Sequence, residues 1–325
     1  MKNRVLLISL ALLLAISVGI VGCDGAQYNL TMAVSPPGAG TTTPTGTTSR
    51  AAGTPVNIQA TVNGSYQFCK WTAPAGTFGN ATAPTTTFTM PAQNVTVTAN
   101  FVGPLDHFLN YGVTSGAQYI GESLYLEDRF GAVNATVGYA QAFGNPVEKW
   151  HGGNVTLIWN PDHHALVYSI TCEGEPGEWL VVVENQFGIQ ALNVSGPYAM
   201  ATPTQKLKPF HHAPPVALDH SLGYTVIAGE PVNEVVNLYD EFDGFTEVLV
   251  IQPIHFGNHA RKIHDGNVTE IVNPDVCWVT YLLDLEPPYV GQVQVIDQFS
   301  EQTLDVWGPT ILSVPSQILH YERIS

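Results

Sequence analysis

The chain has 325 residues, of which 45% are apolar and only 12% charged, with 27 acidic against 11 basic side chains and a formal net charge of −16. This is a globular composition with a neutral surface rich in Thr, Asn and Gly. The charge argues against nucleic acid, which needs clustered Lys and Arg, and equally against an anionic lipid surface as the direct ligand.

The first element is Lys2 and Arg4, then an almost wholly apolar run from Val5 to Val21, then Gly22-Cys23. A basic start, an apolar stretch and a small residue before the cut are the marks of an export signal. The segment resembles a bacterial lipoprotein signal, which implies removal of residues 1–22 and lipid attachment at Cys23. A plain membrane anchor is the alternative, the run being slightly short of a span. Both readings place the rest of the chain outside the cytoplasm at a membrane surface. Three cysteines remain, Cys69, Cys172 and Cys277. An odd number leaves at least one unpaired within the chain, and their apolar strand surroundings suit a buried small hydrophobe. Eight N-x-S/T sequons, at Asn29, Asn63, Asn80, Asn94, Asn134, Asn154, Asn193 and Asn267, are glycosylation acceptors only if the host modifies them.

Residues 27–102 are expected to form a β module. Tyr28–Val34, Val56–Val62, Thr87–Met90 and Val95–Phe101 alternate with period two, so one face is buried and one wet. Turn clusters at Ser35-Pro36-Pro37-Gly38 and Thr43-Pro44-Thr45-Gly46 separate them. Val34-Ser35-Pro36, Ala52-Gly53-Thr54-Pro55-Val56, Gly64-Ser65-Tyr66-Gln67-Phe68 leading to Trp71, and Phe88-Thr89-Met90-Pro91 with Asn100-Phe101 resemble the divergent internalin-B-type bacterial surface repeat. The resemblance implies an all-β spacer or adhesion unit and a core place for Trp71. A sugar-stacking platform of Trp71 and Phe68 is the weaker reading.

The remainder is an internal repeat. Leu105-Asp106-His107 recurs as Leu218-Asp219-His220, Phe143-Gly144-Asn145 as Phe256-Gly257-Asn258, and the text from Lys149 to Asp162 as Lys262 to Asp275, all at an offset of 113 (220 − 107). Each unit is doubled again: Tyr111, Tyr168, Tyr224 and Tyr281 recur at steps of 57, 56 and 57, and Phe130, Phe187, Phe242 and Phe299 at 57, 55 and 57. Short β-branched and aromatic runs such as Leu166–Ile170, Trp179–Val183 and Val293–Ile296 read as strands, and no long helical spacing occurs. A half of three or four strands cannot bury both faces. The expected fold is therefore all-β: the small module, then two tandem pseudo-symmetric β-sandwich-like units, 104–214 and 215–325, each of two ~57-residue halves. An extended linker from Lys206 to Pro215 would separate them.

His107, Tyr111, Glu184, Gln186, Phe187, Asn145, Pro146, Val314 and Pro315 resemble an uncharacterised family of exported β-repeats. That family carries two cysteines where this chain has Asn110 and Gly144, so packing alone is expected to hold the halves.

No catalytic, cofactor-binding or metal-ligating residue is assigned. Eleven histidines include His163-His164, His211-His212 and His255, His259 and His264, and Asp162-His163-His164 could supply metal ligands. Against this, His107, His164 and His220 sit at repeated positions, as do His151 and His264, and residues repeated by the fold ordinarily serve it. The carboxylates Glu127-Asp128, Glu184, Asp240-Glu241 and Asp297 recur in all four halves, which suits a turn device better than a catalytic pair. Their spacing fits no standard calcium loop. No nucleophile elbow, phosphate loop or Cys-x-x-Cys is present. The expected function is that of a non-enzymatic surface lipoprotein serving adhesion, envelope structure or ligand binding, with a cell-envelope polysaccharide or protein as ligand and no cofactor. An extracellular metal-dependent or carbohydrate-active protein is the alternative, and His163, Trp150 and Trp307, outside the repeat, are the first places to look for it.

Overall fold

The computed structural model describes residues 26–324 except 36, 65, 243 and 286–288, and gives no side-chain placement for 102. The signal segment and Cys23 lie outside the described residues. Every regular element described is a strand.

The N-terminal module holds β1 (Gln27–Ser35), β2 (Gly40–Thr43), β3 (Thr47–Ala51), β4 (Pro55–Val62), β5 (Gln67–Thr72), β6 (Thr77–Phe78), β7 (Thr85–Thr89) and β8 (Val95–Val102). They form two four-stranded sheets, ordered β3-β1-β8-β5 and β2-β4-β7-β6. The alternating residues Leu30, Met32, Val56, Ile58, Val95, Val97 and Ala99 meet in one core. Trp71 is 2% exposed and its indole N–H donates to the Ala83 carbonyl at 3.0 Å, so it is a core residue; Phe68 packs on it.

The repeat region has four quarters, each a first strand, a hairpin strand and a long strand. The first quarter is β9 (His107–Ser115), β10 (Ser123–Asp128) and β11 (Gly131–His151), with a short β12 (Asn154–Thr156). The second is β13 (His164–Cys172), β14 (Gly177–Asn185) and β15 (Gly188–Lys208). The third is β16 (His220–Ala228), β17 (Glu234–Asp240) and β18 (Gly244–His264), with β19 (Asn267–Thr269). The fourth is β20 (Val276–Asp284), β21 (Tyr289–Ile296) and β22 (Glu301–Arg323).

The expected all-β class and β modules are present, but the two units are not separate tandem sandwiches. Each long strand pairs with the first strand of its own quarter and with that of the next: β11 with β13, β15 with β16, β18 with β20, and β22 back to β9. Eight antiparallel strands thus close a ring, β9-β11-β13-β15-β16-β18-β20-β22. A two-quarter sandwich would leave the outer edges of β9 and β15 unpaired, and closure removes those edges. The expected linker is correspondingly absent at its start, because Lys206 is fully buried within β15.

The hairpin strands form an outer layer that ties opposite quarters together. β10 pairs with the end of β18, β17 with the end of β11, β14 with the end of β22, and β21 with the end of β15. Each long strand therefore starts in the outer layer, bends into the ring and ends against the opposite quarter. Register breaks mark the bends, for example between Ser195 and Ala199 and between Trp307 and Ile311. Gly196 and Gly308 sit there with φ of +148° and +134°, a backbone that a side chain would strain.

One core fills the space between ring and hairpins. Its fully buried Tyr111, Tyr168, Tyr224 and Tyr281 each pack edge-on against a repeated phenylalanine of the opposite quarter, respectively Phe242, Phe299, Phe130 and Phe187. The tyrosine hydroxyls reach the repeated turn position. Tyr111 donates to Asp240 at 2.6 Å, Tyr168 to Asp297 at 2.7 Å and Tyr224 to Asp128 at 2.8 Å. The same carboxylates accept backbone N–H groups two residues on, as Asp128 does from Phe130 at 2.8 Å. The recurrent carboxylates are thus a turn and hydrogen-bond device, though the second-quarter member is Asn185 rather than Glu184.

Candidate functional site

Because side chains alternate along a strand, the residues between the buried tyrosine positions point into the ring. They line a cavity of about 520 Å³ to which all eight ring strands contribute. That volume lies in the range of sites for small organic ligands. Its walls are small or apolar: Gly112, Ala142, Ala165, Val167, Ala201 and Ile311. Asn110 donates to the Ser313 hydroxyl at 2.9 Å, and Ser313 meets Thr280 at 2.9 Å, giving one polar wall. Tyr198 hydrogen-bonds His255 at the more exposed end, and burial lowers the His255 pKa.

The cavity exists because the pseudo-symmetry is broken by size. Phe108, Ala165, Ser221 and Trp278 occupy equivalent register positions, each opposite the long strand of its quarter. Two aromatics, 5.1 Å apart, pack with Leu218 to floor the lumen, and the two small residues leave room above it. Asn110 and Gly144, where the resemblance expects cysteines, are cross-strand partners facing this lumen. The equivalent pairs are Val167/Ala201, Gly223/Gly257 and Thr280/Ser313, so none of the four is bridged. Cys69, Cys172 and Cys277 are free thiols, Cys277 fully buried.

Two equivalent aspartates clamp the loops below the floor. Asp106 accepts from the backbone of Trp159 and Asn160 at 2.6 and 2.8 Å, and Asp219 from Val272 and Asn273, both at 2.7 Å. Burial dominates at Asp106 and raises its pKa to about 6. At Asp219 burial also pushes upward, but His259, 3.1 Å away, and the two N–H donors hold the carboxyl below its ordinary value. His259 stands where the other quarters carry Pro146, Pro203 and Pro315.

The seams between quarters carry the repeated histidines. His107 meets Gln186 at 3.1 Å and His220 meets Gln298 at 3.3 Å, and burial lowers both imidazoles to about 3. Lys149, Lys206 and Lys262 are buried nearby, with pKa values lowered by burial to about 8, 7 and 8. The seam between the second and third quarters differs. There His164 faces the carboxylate of Glu241, Lys206 pairs with the same carboxylate, and the segment after β15 brings His212 alongside. Ligand atoms of His164, His212 and Glu241 all lie within 4.8 Å of one another.

The sequence expectation for non-repeated residues fails geometrically. Trp150 and Trp307 are 44% and 41% exposed on the outer layer, and His163 is buried with its Nε2 on the Val216 carbonyl at 2.8 Å. None of the three lines the cavity. His255 and His259 are both in β18 and serve different ends of the lumen. The lumen residues escaped the sequence reading because Ala, Gly, Ser and Thr carry no signal of their own; the alternation opposite the tyrosines was the available clue.

The comparisons agree with a small module followed by repeats. Residues 30–103 match the divergent InlB B-repeat domain. Residues 82–195 and 168–315 match the repeat of unknown function DUF7450. The chain belongs to that repeat family, with an InlB-type module ahead of it. No curated protein and no solved structure matches the chain. Bacterial surface-repeat domains of this kind point to an extracellular or surface protein.

Proposed function

We propose that the chain is a non-enzymatic, lipid-anchored binding protein of the cell surface, whose closed ring holds a small, largely apolar ligand with a hydrogen-bonding end. The observation that carries this reading is the lumen of about 520 Å³ lined by all eight strands. An apolar cavity with a few converging polar groups is the ordinary form of a ligand site. Asn110, Ser313 and Thr280 would receive the polar end, and Ala142, Ala165, Val167 and Ile311 the apolar body. Lys2, Arg4 and the run to Cys23 support the anchor, and the InlB-type module would act as a spacer from the membrane. The cavity favours a small molecule over a polysaccharide or protein as ligand, because a lumen of about 520 Å³ is of small-molecule size.

The test is titration with an apolar fluorescent probe such as 1-aminoanthracene. Ala165→Phe places in the lumen an aromatic that the fold already accepts at the equivalent Phe108 and Trp278. The wild-type protein should bind one probe per chain, and Ala165→Phe should abolish binding with the unfolding midpoint retained. Absence of wild-type binding, or binding indifferent to Ala165→Phe, would refute the proposal.

A further inference from the structure

The seam between the second and third quarters departs from its counterparts in three ways at once. Its repeated histidine faces a carboxylate, Glu241, where His107 and His220 face the amides of Gln186 and Gln298. The connection out of β15 contains His211-His212, whereas β11 and β18 run on into the short hairpins of β12 and β19. A further carboxylate, Asp162, stands behind the cluster.

Asp162 orients both rings. The Nδ1–H of His164 points at the Asp162 carbonyl at 3.3 Å, and the Nδ1–H of His212 donates to the Asp162 carboxylate at 3.2 Å. The same carboxylate accepts the Ala213 backbone N–H at 3.0 Å, fixing the loop that carries His212. His164 is further fixed by stacking on Phe143, with 17° between the rings. With Nδ1 protonated in each ring, both Nε2 atoms present lone pairs toward Glu241, at 3.6 Å for His164 and 3.2 Å for His212. Three acceptors thus converge. The His164 Nε2 is buried in a fully buried side chain and has no hydrogen-bond partner. Protonating the rings is opposed by burial, first of all, and by the Lys206 ammonium, which together hold both imidazole pKa values down. Lys206 neutralises Oε1 of Glu241, the oxygen that faces His164, and Oε2 faces His212.

We infer that His164, His212 and Glu241 form a binding site for a divalent transition-metal cation of the Zn²⁺ class. Two neutral imidazoles and one carboxylate, with the second nitrogen of each imidazole held by an outer acceptor, are the donor set and outer shell that such ions take. Three protein ligands leave a fourth position for water or a ligand group. The cation supplies the partner that the His164 Nε2 lacks. It also ties the loop bearing His212 to the turn of the third quarter, which carries Glu241. The two Gln-bearing seams offer no such set, so the site takes one ion per chain.

The test uses tag-free protein, stripped with chelator and titrated with Zn²⁺, with Ca²⁺ as a control for simple charge attraction. One equivalent of Zn²⁺ should bind and raise the unfolding midpoint, and Co²⁺ should give visible d–d absorption with nitrogen ligation. His212→Ala, at a partly exposed position, and Glu241→Gln should each lose the site. Asp162→Asn should weaken binding by about 10–100-fold, as removal of an outer-shell partner does. Lys206→Met removes the competing cation and should bind Zn²⁺ at least as tightly as wild type. Circular dichroism and probe binding in the lumen report whether each variant folds; should His212→Ala misfold, His212→Gln replaces it. No saturable binding, binding of Ca²⁺ equal to that of Zn²⁺, or binding that survives loss of both His164 and His212 would overturn the inference.

Discussion

Asp128→Asn tests the tyrosine–carboxylate device most directly, because the protein already contains the amide version in another quarter. Asp128 accepts four hydrogen bonds, from Tyr224 at 2.8 Å, Asn258 at 3.0 Å, and the backbone N–H groups of Phe130 and Gly131 at 2.8 and 3.2 Å. An Asn keeps the two backbone bonds through its carbonyl but turns an NH₂ toward two donors. At Asn185 the arrangement works because Tyr281 reverses its role: its hydroxyl accepts from Asn185 at 2.8 Å and donates to Gln190. The register position equivalent to Gln190 in the first quarter is Val133, which offers no acceptor. Asp128→Asn therefore strands the Tyr224 hydroxyl and the Asn258 amide, at ~1–3 kcal/mol for each unsatisfied buried donor. Part of this is offset because burial already works against the Asp128 carboxylate and raises its pKa. We expect a net loss of about 2–4 kcal/mol in urea unfolding at pH 7, with the m-value unchanged. Asp128→Asn with Val133→Gln restores the acceptor and should recover about half of that loss, the Asn258 amide staying unpaired. The cycle is completed by Val133→Gln alone, which should be destabilising. A single variant within ~0.5 kcal/mol of wild type, or a double variant no better than the single, would refute the reasoning.

Lys149 should be stabilising to remove. It is 2% exposed, burial lowers its pKa to about 8, and the equivalent register position in the fourth quarter holds Ile318. Lys149→Ile is expected to raise stability by about 1–4 kcal/mol at pH 7, read from the urea midpoint; a lower midpoint would show that the ammonium is favourably placed over the Phe187 ring. Stability should also fall on acidification. His107 and His220 have folded pKa values lowered to about 3, chiefly by burial, so the stabilisation they carry is full above 6.5 and is lost as the pH falls toward 3. Asp106, raised to about 6, and Asp128 and Asp297, also raised by burial, work in the opposite sense, their contributions being present at low pH and lost as the pH rises. Burial likewise lowers His163, His164, His212 and His255, however, and these act with His107 and His220. Unfolding midpoints between pH 6.5 and 4 should therefore drop, and His220→Gln should flatten the slope; an unchanged slope would place the pH sensitivity elsewhere.

Much of the architecture is written in local pattern. Period-two alternation identifies the strands of the N-terminal module, because one face of each must be dry, and Trp71 falls in its core as the resemblance to the internalin-B-type repeat implies. The constant offset of 113 and its halving identify four equivalent quarters, and the recurring Tyr and Phe mark the positions that the fold needs four times. Pairing between quarters is not local. Whether a first strand closes a sandwich within its unit or bridges to the next quarter depends on edges far apart along the chain, such as those of β9 and β22, and the ring wins because it leaves no ring strand without two neighbours.

The lumen follows from the ring and not from any motif. Ala165 and Ser221 mean nothing until closure sets them beside Phe108 and Trp278, and the difference in side-chain volume at four equivalent points becomes a cavity. The His164, His212 and Glu241 cluster is likewise tertiary: its members are 48 and 29 residues apart (212 − 164 and 241 − 212), and strand pairing between quarters brings them together. The sequence alone therefore determined the strands, the repeat and the core positions, because these depend on each residue's own face and period. Only the tertiary structure decided which quarters touch, where space is left and which lone pairs meet, because those depend on the closure of strands distant along the chain.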